Sequence, residues 1–360
     1  MPLPKASLES SRALFHLFLS FDADVGLPSI VRKVAFREPD PRQVSRVVLG
    51  RLPESAALAA VRPDYKPANH LLNALKSAEF QKGFVHLFSN AFPEKRRRVF
   101  IHIPKCAGTD LIANLIPRYP SLAWILTKED WTPKAAFFSR ISALVQDILV
   151  APDLFIHGHI PLRWVLNQRL LRQGDEVFTI VRDPADMVVS QVNYVLTKLG
   201  DSAGQQTPVG PDIRRYLRVL GLERFEPDQS SSTLLELARR ILHDPGLVPD
   251  NQLCRSLGLA RAEAHTSAQA AYDNLIIANV EITDTQRYAR WLQSKFGIVS
   301  KTRRNVSRAV LSRDTLTPAD VDYIESIVTE DRKVYARIQA ALARSDAPCV
   351  MADKLDLTPV

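Results

Sequence analysis

Small residues between an apolar run and a helical pattern are the first sign of chemistry in this chain. The stretch VFIHIPKCAGTDLIANLI passes from a β-rich run, through Pro104–Asp110, into helix-like spacing. Four small residues follow Lys105, namely Cys106, Ala107, Gly108 and Thr109. Their backbone N–H groups can close around an anion, the helix N-terminus points at the same place, and Lys105 adds a full charge. The pattern predicts a cradle for a phosphate or sulfate group.

Two other kinds of anion-binding loop do not match this stretch. An ordinary turn between a strand and a helix remains an alternative interpretation. A nucleoside-triphosphate loop reads G-x-x-x-x-G-K-[ST], whereas here there is neither the first Gly nor a Lys directly after Gly108. A phosphatase loop uses a thiolate at a helix N-terminus with an Arg six positions later, where this chain has Ile112. We therefore expect Cys106 to fill space rather than to act as a nucleophile. The remaining alternative is an ordinary strand–helix connection.

A second candidate for anion binding is the segment FTIVRDPADMVVSQVNY. Arg182 follows a β-rich run, and Ser190 lies eight residues later on a predicted helix. An arginine at a strand end can bind a phosphate through two parallel hydrogen bonds from its guanidinium, and a serine hydroxyl on the facing helix can add a third. The alternative is a simple helix start, in which Asp183 is the N-cap and Pro184 lies in the first turn.

Two histidines in the segment DLFIHGHI are candidates for proton transfer. His157 and His159 are two residues apart, so in an extended strand they face the same way. Histidine titrates near neutral pH, which suits a base. A zinc site is an alternative, although the sequence offers no third ligand, and two hydrogen-bonded core histidines are another. His102, on the first predicted strand, is expected to be structural.

The elements that must position these residues alternate between strand and helix. Strands are predicted at 99–103, 153–160, 176–183 and 273–281, and helices at 109–116, 184–199 and 283–297. This alternation predicts an α/β fold with a central parallel sheet flanked by helices. Ligands of such sheets gather at the carboxyl ends of the strands, where Pro104–Asp110 and Arg182 are expected.

The rest of the chain is divided into segments from its composition and residue spacing. Residues 1–95 are predicted to form a mostly helical extension, and residues 96–345 the main domain. Within that domain, a polar loop and irregular helical segment at 201–247 form an insertion that we expect near the acceptor site. Residues 346–360 are assigned as a C-terminal tail. The run Lys95–Arg98 is expected to be a solvated entrance to the first strand.

Composition and charge limit the function classes. The 360 residues are 46% hydrophobic and 24% charged, with a net charge of +8, which suits a globular protein with an anionic ligand. Basic residues do not alternate with aromatics, so nucleic acid is not expected. Three cysteines without a C-x-x-C pair fit a reducing compartment. The apolar runs are too short to span a bilayer, although the N-terminal apolar patch leaves peripheral membrane contact as an alternative.

At this point the chain resembles a known family. FIHIPKCAGTDL is similar to the 5′-phosphosulfate loop of the sulfotransferases, written H-x-P-K-T-G-G-T, and VRDPADMVVS is similar to their 3′-phosphate motif. IHGHIPL and DNQLCRSLG resemble segments of the uronosyl 2-O-sulfotransferase branch, as do NVEITDTQRYARWL and RRNVSR. The resemblance covers about residues 97–345. It implies a P-loop-NTPase-like, three-layer fold and a bacterial carbohydrate sulfotransferase.

The resemblance also implies a donor and the residues that bind it. The donor is 3′-phosphoadenosine 5′-phosphosulfate (PAPS), and no metal is implied. Lys105 and the backbone of Cys106–Thr109 would bind the 5′-phosphosulfate, and Arg182 and Ser190 the 3′-phosphate. Asp110 is also assigned to the donor-binding loop, although it stands where the family has Ser or Thr and its carboxylate would repel a phosphate. The loop KTRRNVSR would close over the nucleotide, with four candidates: Arg303, Arg304, Asn305 and Ser307. The alternative for that loop is a solvated charge run.

The matching segment implies a histidine base, for which His159 is the first choice and His157 the orienting partner. The acceptor would be a hydroxyl of a sugar, polysaccharide or glycolipid. We expect a cytoplasmic enzyme, with the inner face of the membrane as the alternative, because no signal anchor is evident. A nucleotide-dependent kinase and a non-catalytic nucleotide-binding scaffold of the same fold are the competing hypotheses. The oligomeric state stays undetermined at this stage.

Overall fold

The computed structural model describes residues 96–115, 124–126, 153–159, 161–167, 171–202, 211–225, 230–258, 267–300 and 310–355. In these ranges the chain is α/β, with a mixed central sheet flanked by helices. The sheet has six strands in the order β2-β3-β1-β4-β5-β6. Their bounds are β1 Arg96–Ile101, β2 Trp124–Leu126, β3 Asp153–Gly158, β4 Glu176–Val181, β5 Glu281–Asp284 and β6 Val350–Met351.

Ten α-helices lie within the described residues. They are α1 Gly108–Leu115, α2 Leu162–Asn167, α3 Pro184–Asp201, α4 Pro211–Val219, α5 Ser231–Leu242, α6 Gln252–Gly258, α7 Ala268–Ile277, α8 Tyr288–Phe296, α9 Pro318–Ile327 and α10 Thr329–Ala343. The predicted helical extension at 1–95 lies outside the described residues and stays a prediction.

The sheet is mixed rather than parallel, which corrects the expectation of an all-parallel sheet. The pairs β1–β3, β2–β3 and β4–β5 are parallel, as predicted from the strand–helix alternation. The last strand, β6, pairs antiparallel with β5, with Ile282 opposite Val350. It arises from the segment expected to be a C-terminal tail, which returns to the sheet after α10. An antiparallel strand at the edge of an otherwise parallel sheet is common.

The chain divides into two compact units. The first contains the described parts of Met1–Ile101, Leu115–Ile160 and Trp164–Val177, and the second those of His102–Asn114, Pro161–Arg163 and Phe178–Val360. In the first unit, β3 lies between β1 and β2, so Phe100, His157 and Ile125 are neighbours across three strands. Phe100 and Phe155 are 1% or less exposed and form the core of this unit.

Arg96, the first residue of β1, is exposed as expected, but the next two arginines are buried, contrary to the sequence expectation. Arg97 and Arg98 are 3% and 7% exposed. An ion pair of 3.0 Å joins Arg97 to Asp175, and Arg98 donates a 3.1 Å hydrogen bond to Glu176. Burial lowers the pKa of Arg97 to about 10, and Asp175 opposes that shift. The two acidic residues just before and at the start of β4 explain why a basic run can enter the core.

In the second unit the core is built around α3. Its buried face includes Val188, Val192, Val195 and Leu199 and belongs to one apolar cluster with residues of α5 and α9. Helices α4 and α5 come from the predicted 201–247 insertion, of which residues 203–210 and 226–229 lie outside the described ranges. A second cluster packs Phe178 of β4 against Trp291 and Phe296, with ring centroids 5.4 and 5.9 Å away.

One predicted strand is wrong. The run DNLIIANVE was assigned to a strand, but its first half ends α7 and only its last residue begins β5. The Ser267 hydroxyl caps α7 by accepting a hydrogen bond from the N–H of Ala270. Asn279, with φ of 46°, then turns the chain into β5. A short apolar run cannot by itself distinguish a buried strand from a helix end.

Other helix boundaries follow their local sequence signals. Pro184 opens α3 after Asp183, Thr317 caps α9, and Gly297 ends α8 with φ of 64°. All three are local signals, because caps and left-handed glycine stops act within one turn. Across the described residues, no helix combines the length and apolar character that crossing a bilayer requires.

Helices α6 and α10 cap each other. The Asn251 side-chain oxygen accepts hydrogen bonds from the N–H groups of Glu330 and Asp331. In return, the carboxylate of Asp331 accepts from the N–H groups of Leu253 and Cys254 at 2.9 and 2.8 Å. The segment DNQLCRSLG thus has a structural role in this protein. Burial raises the pKa of Asp331 to about 6, although both backbone donors oppose the shift.

The raised pKa of Asp331 predicts a stability that falls as this group ionises. The folded state holds the proton more tightly than the unfolded chain, so the contribution is favourable below about pH 4 and is lost as the pH rises through 6. We expect the free energy of unfolding of the wild type, relative to Asp331→Asn, to fall by about 3 kcal/mol between pH 4 and pH 7. Denaturant unfolding of both proteins measures this difference.

The matched control is Asp320→Asn, in another capping carboxylate. Burial would raise the pKa of Asp320, but hydrogen bonds from Thr317, His243 and Arg239 lower it to about 2. Its own contribution is therefore lost only below pH 4. Because its partner His243 can itself change protonation in this range, Asp320→Asn is compared with Asp320 in a His243→Gln background, where the difference should be nearly constant between pH 4 and 7. An equally constant difference for Asp331→Asn would contradict the ionisation of Asp331 in this range.

Candidate functional site

The loop from His102 to Gly108 has an unusual backbone in the second unit. Lys105 and Ala107 have φ of 67° and 59°, although neither is glycine. The N–H of Cys106 donates to the Ile103 carbonyl at 3.4 Å, and the first helical bond of α1 runs from Leu111 to Ala107. The N–H groups at the start of α1 therefore precede its hydrogen-bonded ladder. Alternating right- and left-handed residues before a helix start form a concave group of donors that suits an anion.

This backbone is costly, so the surrounding structure must hold it. A non-glycine residue in the left-handed region costs on the order of 1–3 kcal/mol. The loop is anchored below by Cys106, which is 1% exposed, and by Ile103, which is fully buried. Strain of this kind concentrates at binding and catalytic sites.

Gly108 is required by the close approach of His102. A Cβ atom at Gly108 would lie 2.1 Å from Cδ2 of the His102 ring, far inside van der Waals contact. His102 is 8% exposed and lies just past the end of β1. The ring therefore occupies the space that a side chain at Gly108 would need. This supports the structural role predicted for His102.

The Lys105 side chain points at α3. Its ammonium lies 3.1 Å from the centroid of the Tyr194 ring, a short cation–π contact. Lys198 lies one turn further along α3, with its ammonium 5.8 Å from the same centroid. Burial, and then repulsion from Lys198, lowers the pKa of Lys105 to about 7. This lysine therefore lies in a place short of negative charge.

Arg182 joins the two anion-binding motifs of the sequence. It follows β4, and its Nη1 donates a long hydrogen bond of 3.5 Å to the Lys105 carbonyl. The two residues are 77 positions apart in the chain. The guanidinium and the Lys105 loop are therefore adjacent in the second unit. The sequence predicted only that both lie at the carboxyl ends of strands.

A network of charges holds the turn that carries Arg182. The Asp183 carboxylate accepts hydrogen bonds from the N–H groups of Ala185 and Asp186, so it caps α3 as predicted. Arg332 of α10 donates to the same carboxylate at 2.7 Å, and Arg313 also contacts it. Burial would raise the pKa of Asp183, but these partners, Arg332 foremost, lower it overall. Asp183 therefore stays ionised and fixes the turn after β4.

Ser190 lies on the face of α3 that Lys105 approaches. Ser190, Tyr194 and Lys198 are spaced by four residues and thus form one stripe along the helix. Ser190 is partly buried, and the contact of Lys105 with Tyr194 places the loop beside this stripe. The structure thus brings Lys105, Arg182 and the Ser190 stripe to one region.

Cys106 is not suited to nucleophilic chemistry. Burial raises the pKa of its thiol far above the usual range, despite the opposing effect of nearby Arg182. The side chain is 1% exposed. It fills space under the loop, as expected from the missing phosphatase arginine.

The remaining loop residues differ in exposure. Ala107 and Asp110 are partly buried, Gly108 is buried and Thr109 is exposed. The Asp110 carbonyl accepts a 2.8 Å hydrogen bond from Asn114 within α1. Arg303, Arg304, Asn305 and Ser307 lie outside the described residues, so their assignment to the nucleotide site stays a prediction.

The two candidate histidines belong to the first unit and differ from each other. His157 is in β3, is 2% exposed and has its ring 6.0 Å from that of Phe155. The strand ends at Gly158, so His159 lies beyond it and is partly buried. Of the two histidines predicted to share this strand, only His157 therefore lies within it. Within the described ranges, no group of three or more His, Cys, Asp or Glu side chains is placed to hold a metal ion.

Sequence reasoning missed several residues of the region. Tyr194 and Lys198 could have been found from the sequence. They follow Ser190 at intervals of four residues on a predicted helix and therefore share its face. Arg313 and Arg332 could not, since their contacts with Asp183 span 130 and 149 residues.

The arrangement is suited to binding an anion. It combines a lysine, an arginine, a concave backbone and a helix N-terminus in the second unit, all of which favour phosphate or sulfate. Comparison with known proteins adds no identification: neither the protein-family models nor the curated proteins contain a match to this chain.

The contact between Gly108 and His102 yields a test of the loop. We expect Gly108→Ala to destabilise the protein by about 1–3 kcal/mol, because the His102 ring or the loop must move. Thermal unfolding gives the measurement. The control is Gly200→Ala in α3, whose added Cβ would lie 3.9 Å from Phe225 in ordinary contact. That variant should be unchanged or slightly more stable, and equal losses in both variants would contradict the packing argument.

Proposed function

We propose that this protein is a PAPS-dependent sulfotransferase that transfers the sulfuryl group to a hydroxyl of a carbohydrate or glycolipid. The observation that carries the proposal is the contact of Arg182 with the Lys105 carbonyl, which unites the two segments that resemble the family's phosphosulfate and 3′-phosphate motifs. We also propose the family's P-loop-like, three-layer fold, to which the α/β architecture conforms.

The geometry of the loop favours a phosphosulfate. Left-handed residues at Lys105 and Ala107 turn the backbone around a concave surface, and α1 begins at its rim. The donors at a helix start bind an anion without any charged side chain. Lys105 adds the charge that the leaving phosphate needs as the bond to sulfur breaks.

The 3′-phosphate would distinguish this donor from ordinary nucleotides. In the proposal it is bound by Arg182 and by the hydroxyl of Ser190 on α3. The Asp183 network supports this role, because it holds the backbone next to Arg182 in one conformation. A kinase reading finds no such support, since the chain lacks the Gly-Lys-Ser/Thr sequence of a triphosphate loop.

The histidines support separate roles. His159 lies past the end of β3 and is partly exposed, which allows an acceptor hydroxyl to approach it. His157 is almost fully buried and is better suited to orienting a neighbour than to meeting substrate. The proposal therefore makes His159 the base and His157 the positioning residue.

The proposed reaction is an in-line displacement at sulfur. The acceptor oxygen forms a bond to sulfur, and the bond between sulfur and the bridging oxygen of the donor breaks. The hydroxyl proton goes to His159, and the electron pair of the broken bond stays on adenosine 3′,5′-bisphosphate. As in phosphoryl transfer, positioning and charge stabilisation would supply most of the catalysis.

The acceptor and the location remain parts of the proposal. A sugar hydroxyl follows from the resemblance of IHGHIPL to the uronosyl 2-O branch, and the 201–247 segment is proposed to lie near the acceptor. A cytoplasmic site of action, including the inner face of a membrane, is proposed on the same basis.

The first test is binding of the donor product. We expect adenosine 3′,5′-bisphosphate to bind at least tenfold more tightly than 5′-AMP or ATP, because Arg182 contributes a charge-assisted hydrogen bond to the 3′-phosphate. Arg182→Ala should remove that preference. Isothermal titration calorimetry with the full chain gives both results.

The control is Arg344→Ala, at the exposed end of α10. It lies twelve residues from Arg332 along the helix, about 18 Å away. This variant should bind like the wild type. Absence of a preference for the 3′-phosphate in the wild type would refute the proposed donor.

Turnover separates the roles of Lys105 and His159. In a sulfation assay with PAPS and a panel of uronic-acid polysaccharides and glycolipids, His159→Ala should lose at least about 100-fold in kcat yet bind adenosine 3′,5′-bisphosphate normally. Lys105→Ala should lose both turnover and affinity, since it contacts the donor. Full activity of the His159 variant would remove it from the base role, and His157→Ala would then be tested in its place.

A further inference from the structure

Tyr194 is the residue that Lys105 meets beside the anion loop. The ammonium lies 3.1 Å from the ring centroid, which places it over the face of the ring rather than at the hydroxyl. The ring is partly buried on the stripe of α3 that contains Ser190. None of the sequence motifs assigned a role to Tyr194.

A second lysine also lies near the ring. Lys198, on the next turn, has its ammonium 5.8 Å from the centroid and 3.7 Å from the Asp201 carboxylate. Lys105 has the ring face as its partner instead of a carboxylate. Two lysines on one aromatic ring repel each other, and a bound anion would relieve that repulsion.

An aromatic partner has an advantage that a carboxylate lacks. A carboxylate beside Lys105 would neutralise its charge and repel an incoming phosphosulfate. A ring face attracts the ammonium more weakly and carries no net charge. It can therefore hold a long, flexible side chain in one conformation without competing with the ligand.

We propose that Tyr194 is a positioning residue: its ring holds the Lys105 side chain beside the anion loop, so that the donor meets an ordered lysine. The identity of the donor rests on the proposed function, whereas the contact between Tyr194 and Lys105 does not. The ring face, and not the hydroxyl, makes the contact, so phenylalanine should serve equally well.

Acylation of lysines tests the contact without any activity assay. The full chain is treated with a limiting acetylating reagent, and the rate at each lysine is measured by mass spectrometry. Lys354, which is 73% exposed, is the internal reference. We expect Lys105 in Tyr194→Leu to react about fivefold faster than in the wild type, because the ring no longer covers it. Lys105 in Tyr194→Phe should react at the wild-type rate.

The outcomes are decisive in either direction. Faster labelling in the Leu variant alone supports the ring contact. Equal rates in all three proteins would overturn it, and faster labelling in both variants would assign the contact to the hydroxyl. Leucine is a good helix former, so α3 should persist, and circular dichroism confirms that each variant is folded.

A double-mutant cycle tests the positioning role itself. Tyr194→Leu should weaken binding of adenosine 3′,5′-bisphosphate about fivefold in the wild-type background and not at all in Lys105→Ala. An equal loss in both backgrounds would mean that Tyr194 contacts the ligand directly and would overturn the positioning role. If the wild type fails to bind the nucleotide, the proposed donor fails, while the labelling experiment still decides the contact.

Discussion

The candidate site depends on one constraint, the left-handed backbone of the loop between β1 and α1. Lys105 and Ala107 hold this conformation without being glycine, and the structure must supply the free energy that they lose. Three features do so: the His102 ring against Gly108, the buried Cys106 beneath the loop, and the guanidinium of Arg182 on the Lys105 carbonyl. The concave row of N–H groups exists only while these contacts hold.

The turn that carries Arg182 is fixed by a second set of contacts. The proposal assigns none of these residues to ligand binding. Asp183 is bound at once by the first turn of α3, by Arg313 and by α10 through Arg332. Helix α10 is in turn fixed to α6 by the exchange of caps between Asn251 and Asp331. A chain of charge-assisted hydrogen bonds thus connects the C-terminal helices to the turn that presents Arg182, and it explains why a strand end can hold a cation steadily.

Local signals could be predicted from the sequence, and long-range ones could not. The start of α3 was predicted correctly because a cap is decided within one turn, and the cap of α9 and the glycine stop of α8 are signals of the same local kind. Strand β2 was missed and part of α7 was taken for a strand, since short apolar runs are ambiguous until their packing is known. The antiparallel β6 and the burial of Arg97 beside Asp175 depend on partners far along the chain. The Lys105 loop was recognised from residue types, whereas its contact with Tyr194 required the fold.

The protonation of Lys105 depends on the charges around it. Burial and Lys198 lower the pKa of Lys105 to about 7, so the free protein at neutral pH holds this lysine only partly protonated. A dianion in the loop favours the ammonium and raises that pKa, so binding would draw in a proton. The charge on Lys105 would then increase on binding, when the anion is present to balance it. A ring at Tyr194 is compatible with this cycle, because it can contact the lysine in either protonation state, whereas a carboxylate would keep the lysine charged throughout.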